Sequence, residues 1–181
     1  MDPNISVAVA LGAFFVWALV IWNRLARLRA GVAASRAQVE AEARRLRELV
    51  PGLKQVTAAH LSGENETLAA VSAASDAAQA AAATTADAFA GSEALSVRAG
   101  ADDRLAAALN RLLATAEAHP ELGNNASLQQ LAREVTACAD RLAAGRRSYN
   151  QSAAVYNAAL QAFPAVMFAG MLGFKPAMPF E

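Results

Sequence analysis

Few side chains in this sequence are of a type and spacing that could do chemistry. His60 and His119 are the two histidines, and Cys138 is the one cysteine. A metal site on a helix needs donors on one face, as in His-x-x-x-His or Glu-x-x-His, and neither pairing occurs. A single thiol excludes an intrachain disulfide and a cysteine metal cluster. Cys138 falls in an apolar helical stretch, where a buried, inert thiol is expected. Asp102-Asp103 is an acidic pair at an expected helix start, where the macrodipole favours negative charge without any acid–base task. There is no Gly-rich phosphate loop and no nucleophile elbow. The expectation is a protein that is not an enzyme, with no catalytic, cofactor-binding or metal-ligating residue.

The distinctive polar constellation is a repeat, Tyr149-Asn150 and Tyr156-Asn157. A spacing of seven puts both tyrosines on one helical face and both asparagines on an adjacent one. This face reads either as packing, each ring buried and each hydroxyl partnered, or as a polar ladder for a small ligand.

The elements that must position this face are helical. Alanine is abundant and Val/Ile/Thr alternation is missing, which gives an all-α expectation. Ile5 to Trp22 is an uncharged apolar run of 18 residues, just long enough to cross a bilayer as a helix. Trp17 and Trp22 stand near its end, and Arg24, Arg27 and Arg29 come next; these five residues are the expected membrane interface. Arginine beside a span stays in the cytoplasm, so the expected topology is single-pass, N-terminus outside and the rest cytoplasmic. A signal peptide would carry its charge before the run and a small-residue cleavage site after it; a buried helix is the other alternative. The formal net charge of zero gives no global pull toward nucleic acid, although residues 24–54 hold eight Lys/Arg against three Glu.

Beyond the run, Leu25, Leu28, Val32, Val39, Leu46, Leu49, Leu53 and Val56 form a heptad-like seam, with Ser35 and Glu42 in core slots. The register passes through Pro51-Gly52, which favours one long helix over a hairpin there. Gly63 ends this helix and Asn65 caps an alanine-rich second one, about 65 to 90, with Leu68, Val71 and Phe89 interspersed. Residues 91–100 read as a loop. A third helix starts at Ala101 or Asp102 and ends at His119-Pro120. Ser127 caps a fourth, about 127 to 163, that Pro164 stops. The expected architecture is a transmembrane helix (domain 1–22) continuing into an antiparallel four-helix bundle (23–163) with long first and last helices. An apolar tail, 164–181, completes the chain. The stretch from Phe163 onward holds Phe163, Phe168, Met171, Leu172, Phe174 and Phe180, and four of the seven phenylalanines. It must dock on the bundle, on a neighbouring subunit or at the membrane interface.

Several motifs resemble the LemA family of bacterial membrane proteins. They are Asn23-Arg24-Leu25-Ala26-Arg27-Leu28-Arg29, Leu49-Val50-Pro51-Gly52-Leu53, Glu66-Thr67-Leu68, and Ala116-Glu117-Ala118-His119-Pro120-Glu121-Leu122. Tyr149-Asn150, Tyr156-Asn157, Phe163-Pro164, Gly173-Phe174-Lys175-Pro176 and Phe180-Glu181 complete the set. Gly52, His119 and Gly63 depart from the family pattern. The resemblance implies a helical bundle on an N-terminal anchor in the bacterial inner membrane, with no established enzymatic activity. It also brings a membrane metalloprotease into view as a partner, since some members occur with such enzymes. The leading expectation is a self-associating scaffold, a homo-oligomer in contact with membrane lipid, that organises or shapes the membrane. The alternatives are a signalling or quality-control adaptor for another membrane protein and a small-ligand-binding bundle.

Overall fold

The structure is a computed structural model that describes residues 3–58, 64–85, 91–170 and 172–180, with side chains from residue 12 onward apart from 58, 120 and 123. His60, Gly63, Phe89, Met171 and Glu181 lie outside the described residues, as do the side chains of 5–11. All regular structure among the described residues is helical. α1 spans Pro3–Ala58, α2 Asn65–Thr84, α3 Ser92–Glu117, α4 Pro120–Gly123, α5 Ala126–Gln161 and α6 Ala165–Phe168.

α1 is a single helix of 56 residues that runs through Pro51. Among its described side chains the first to be buried is Leu25; Val32, Ser35, Val39, Ala43, Leu46, Leu49 and Leu53 then line one face. Ser35 is tolerated in this seam because its hydroxyl donates to the carbonyls of Gly31 and Val32. Ala43 takes the core slot expected at Glu42, and the Glu42 carboxylate turns toward Arg141. Among the described residues no helix is long and apolar enough to cross a membrane.

α1 packs most extensively on α5, and α2 on α3. The α1–α5 pair is antiparallel: Gly52 meets Leu131, Glu42 meets Cys138 and Val39 meets Gly145. Residues 23–58 of α1 and the 36 residues of α5 each run about 54 Å at about 1.5 Å per residue. The α2–α3 hairpin is shorter. It joins α1 through Lys54 Nζ, which donates to Ser72 Oγ at 2.8 Å, and through Arg36, which donates to the carbonyl of Thr85. Ala78 and Ala81 on α2 are buried, so the small side chains form a packing face.

The helix boundaries differ from the sequence expectation for identifiable reasons. α3 begins at Ser92, so most of the expected loop 91–100 is helix. Leu95 and Ala99 bury there, and Arg98 finds ion-pair partners, which outweighs the helix-weakening effect of Gly100. Glu64 rather than Asn65 holds the N-cap position of α2, without a side-chain capping bond, and described helix ends at Thr84. α3 closes at Glu117, and Pro120 opens the short α4 as its first residue. α5 is capped by Asn125, whose Oδ1 accepts from the amides of Ser127 and Leu128 at 2.9 and 3.1 Å. Ser127 is therefore inside the helix, which ends at Gln161, before Pro164.

The closeness of α1 and α5 is tested at Gly145, where an added Cβ would lie 3.3 Å from Val39 Cγ2. Gly145→Leu should destabilise the fold by about 1–3 kcal/mol through overpacking. At Gly100 a Cβ meets nothing within 4 Å, so Gly100→Ala should stabilise by about 0.5–1 kcal/mol. Chemical denaturation of both variants against the parent checks the pair of signs.

Candidate functional site

The two Tyr-Asn pairs lie on the buried face of α5, and the chain's own C-terminus fills them. Tyr156 Oη donates to the carbonyl of Lys175 at 3.0 Å, and Tyr149 Oη to that of Met178 at 2.9 Å. Asn157 holds Ala177 from both sides: its Nδ2 donates to the Ala177 carbonyl at 2.7 Å and its Oδ1 accepts the Ala177 amide at 2.9 Å. Asn150 does the same for Phe180, at 2.8 Å in each direction. Each carboxamide thus stands where a neighbouring β-strand would offer a donor and an acceptor.

The match is one of periods. Seven residues of helix rise about 10.5 Å, and three residues of extended chain cover about 10 Å. The strap repeats every three residues: Phe174, Ala177 and Phe180 are buried at 7%, 0% and 9% exposure, with exposed residues between them. Pro176 and Pro179 occupy intervening positions, where no amide is asked to donate. Phe180 meets the Tyr149 ring edge-on at 4.9 Å, and Phe174 meets Trp22 of α1 at 5.2 Å. The strap therefore runs antiparallel to α5 and along α1 away from Trp22. Burial raises the pKa of both tyrosine hydroxyls, opposed by Arg36 at Tyr149 and by Arg29 at Tyr156.

The tail expected to dock as one apolar stretch divides in two. Residues 174–180 belong to the core. Phe163, Phe168 and Leu172 are exposed, Phe163 at 79%. The hinge between the parts is Gly173, at φ +73. Its amide donates to the Gly170 carbonyl and that of Phe174 to the Ala169 carbonyl, the paired bonds of a Schellman turn, whose left-handed position favours glycine. At the other predicted interface, Trp17, Trp22, Arg24, Arg27 and Arg29 are all exposed on α1.

A second polar cluster has no counterpart among the sequence expectations. Asp102 and Arg98 are buried, and Arg98 Nε donates to Asp102 Oδ2 at 2.9 Å. Arg98 also pairs with Glu40 of α1 at 2.8 Å and donates to Thr85 Oγ1 at 3.2 Å. Arg47 of α1 and Arg146 of α5 approach Asp102 at 3.8 and 3.6 Å, and Arg146 pairs with Asp103 at 2.7 Å. Burial pushes the Asp102 carboxyl above its usual range, against the pull of Arg98, Arg146 and Arg47. The Asp102-Asp103 pair is thus inside α3, not at its start, and it joins three helices. The i,i+4 spacing of Arg98 and Asp102 is the signal in the sequence, masked by the loop propensity of residues 91–100. Cys138 is buried, with its Sγ 3.2 Å from the Glu42 carbonyl. Desolvation and the Glu42 carboxylate push the thiol up to about 11, so it is protonated and unreactive at neutral pH. Among the described residues no group of His, Cys, Asp and Glu could hold a metal ion.

These features define an all-helical protein whose long helix pair is closed by its own C-terminal strap. A comparison with protein families matches residues 35–181 to the LemA family, and the chain belongs to that family. The matched region contains both Tyr-Asn pairs and the strap; the apolar run and the Asn23–Arg29 motif precede it. Among curated proteins nothing matches significantly.

The strap's bonds are open to two tests. Asn157→Ala leaves the buried Ala177 amide and carbonyl without their partner and should cost about 1–3 kcal/mol, whereas Gln151→Ala, exposed on the same helix, should change little; thermal melts compare them. The tyrosine hydroxyls have folded pKa values above their ordinary 10.0. Folding therefore favours their protonated forms, a contribution fully present below about pH 10 and lost as the pH rises through the raised values. Melting temperature should fall in that alkaline range, and Tyr149→Phe with Tyr156→Phe should flatten the decline.

Proposed function

We propose that this chain is an architectural protein of the bacterial inner membrane, anchored through the N-terminal part of α1 with the packed helices on the cytoplasmic side. The observation that carries this reading is the apolar sleeve of α1. Ala13, Phe14, Phe15, Val16, Trp17, Ala18, Leu19 and Val20 are successive exposed residues, so the helix is apolar on every face there. Phe15 and Val20 are 65% and 62% exposed. A sleeve of this kind in water would be an extreme exposed patch; lipid satisfies it. The exposed Arg24, Arg27 and Arg29 at its lower end support a cytoplasmic location for the rest of the chain. In this reading the four long helices are a four-helix bundle that continues the anchor without a joint, which fixes the angle between bundle and membrane.

Self-association into a scaffold that organises or shapes the membrane is the leading role for such a rod, with lipid and further copies of the chain as its partners. A second reading, an adaptor for another membrane protein, is favoured by one feature. The α2–α3 hairpin leaves an open groove of about 980 Å³ against α1, with Arg44, Glu48, Val50 and Pro51 on one wall and Ser75, Gln79 and Ala83 on the other. A small-ligand role for the Tyr-Asn ladder would require displacement of the strap.

The anchor is tested by Val16→Arg combined with Val20→Arg. Each arginine costs roughly 2.5–3.5 kcal/mol at the centre of an inserted helix. The parent should stay in the membrane fraction through alkaline carbonate, and the double variant should be released while retaining its helical circular dichroism. A parent that washes off with carbonate contradicts the anchor.

A further inference from the structure

We propose that the described residues of the connector between α5 and the strap, 163–170 and Leu172, form a re-entrant wedge inserted among the acyl chains of the leaflet that holds the lower half of the anchor. The inference rests on the anchored reading of α1. Both ends of the connector are fixed at the level where α1 leaves its apolar sleeve: α5 ends at Gln161, and Phe174 stacks edge-on against Trp22 at 5.2 Å. From there the connector rises along α1 rather than away from it. Phe168 and Leu172 share a groove of about 180 Å³ with Phe14, Trp17, Ala18 and Ile21. Phe14 is eight residues above Trp22, about 12 Å along the helix, while half of a hydrocarbon core is about 15 Å. The connector thus reaches well into the layer that the sleeve would occupy.

Its chemistry fits that depth. Residues 163–174 contain no Asp, Glu, Lys, Arg or His, and Lys175 comes at once after them, exposed beside the strap. Phe163, Val166, Met167, Phe168 and Leu172 present apolar side chains outward, continuous with the sleeve. Backbone in lipid must satisfy its own polar groups. Here the amides of Val166, Met167, Ala169, Leu172, Gly173 and Phe174 all donate within the segment or to Ala162, and Pro164 has no amide. A segment that is apolar outside, with several of its backbone amides bonded within it and leaning on the sleeve, matches lipid tails rather than an aqueous or polar protein surface. Because it enters from one side and returns, it adds volume to one leaflet alone.

The test uses full-length protein with Cys138→Ala and one added cysteine at a time, Val16→Cys, Met167→Cys or Gln151→Cys, each carrying a nitrobenzoxadiazole label. The proteins are reconstituted into phosphatidylcholine–phosphatidylglycerol vesicles, with circular dichroism confirming the fold. Doxyl-labelled lipids and aqueous iodide are the quenchers. The expected result is blue-shifted emission at 16 and 167 with strong doxyl and weak iodide quenching, and the reverse at 151. A lipid-quenched 16 with an iodide-quenched 167 overturns the wedge and leaves the anchor standing. A label at 167 shielded from both quenchers means a second copy covers the connector, which also overturns it. An iodide-quenched 16 removes the anchor and the wedge together.

Discussion

The structure depends on a mismatch of lengths. α1 beyond Trp22 and α5 form an antiparallel pair about 54 Å long, yet α2 and α3, of 20 and 26 residues, reach only about 30 and 39 Å at 1.5 Å per residue. The described part of the hairpin meets α1 between Lys54 and Arg36. From Arg36 back to Trp22 the long pair would bare its apolar seam over about 20 Å. The strap from Phe174 to Phe180 supplies about that length in extended chain. The long helix pair is closed by two different kinds of structure, a helical hairpin at the far end and a hydrogen-bonded strap at the near end. Two Tyr-Asn pairs let an α-helix hold an extended chain at matched intervals.

The joint between those two layers is electrostatic. Arg36 donates to the Thr85 carbonyl, and the Thr85 hydroxyl accepts from Arg98, whose other contacts are Glu40 and Asp102. Arg47 and Arg146 bring α1 and α5 to the same carboxylate. A buried ionic cluster adds little net stability, because desolvation offsets much of the attraction, but its breakage is costly. Its ion pairs tie the hairpin to the long pair at one level, through Glu40 and Arg47 of α1 and Arg146 of α5. The strap begins near the Trp22 end of that pair and finishes near Arg36, so the two layers meet beside this cluster.

Much of this is legible in the sequence, and the parts that are not share a cause. The heptad seam, the passage through Pro51 and the shared face of Tyr149 and Tyr156 follow from periodicity alone, which depends on local geometry. Ser35 and the buried hydroxyls are readable only as imperfections, since their compensation is a carbonyl one turn away. The start of α3 is hidden because Gly91, Gly100 and the serines between them carry loop propensity, and the opposing terms are burial of Leu95 and the partners of Arg98. The role of the Tyr-Asn pairs is half visible. Their spacing marks a ladder, but what the ladder holds lies 19 to 30 residues on, in a segment whose prolines and apolar residues suggest only an irregular tail. The three-residue spacing of Phe174, Ala177 and Phe180 is the other half of that match, and its meaning depends on a partner helix that the tail itself does not reveal.

The connector and the strap are consecutive and face in different directions. Gly173 turns the chain from a segment that faces outward beside α1 to one that is buried between α1 and α5, so the position of the strap along the helix pair is tied to that of the connector along α1. The central claim, that the strap is an integral layer of the fold, is tested most directly by native-state hydrogen exchange at the amides of Ala177 and Phe180. The account predicts that both exchange as slowly as amides in the middle of α5, because each is buried and bonded to an asparagine carboxamide. Exchange at the rate of a free peptide at both positions, with α5 still protected, would show that the strap is not part of the core.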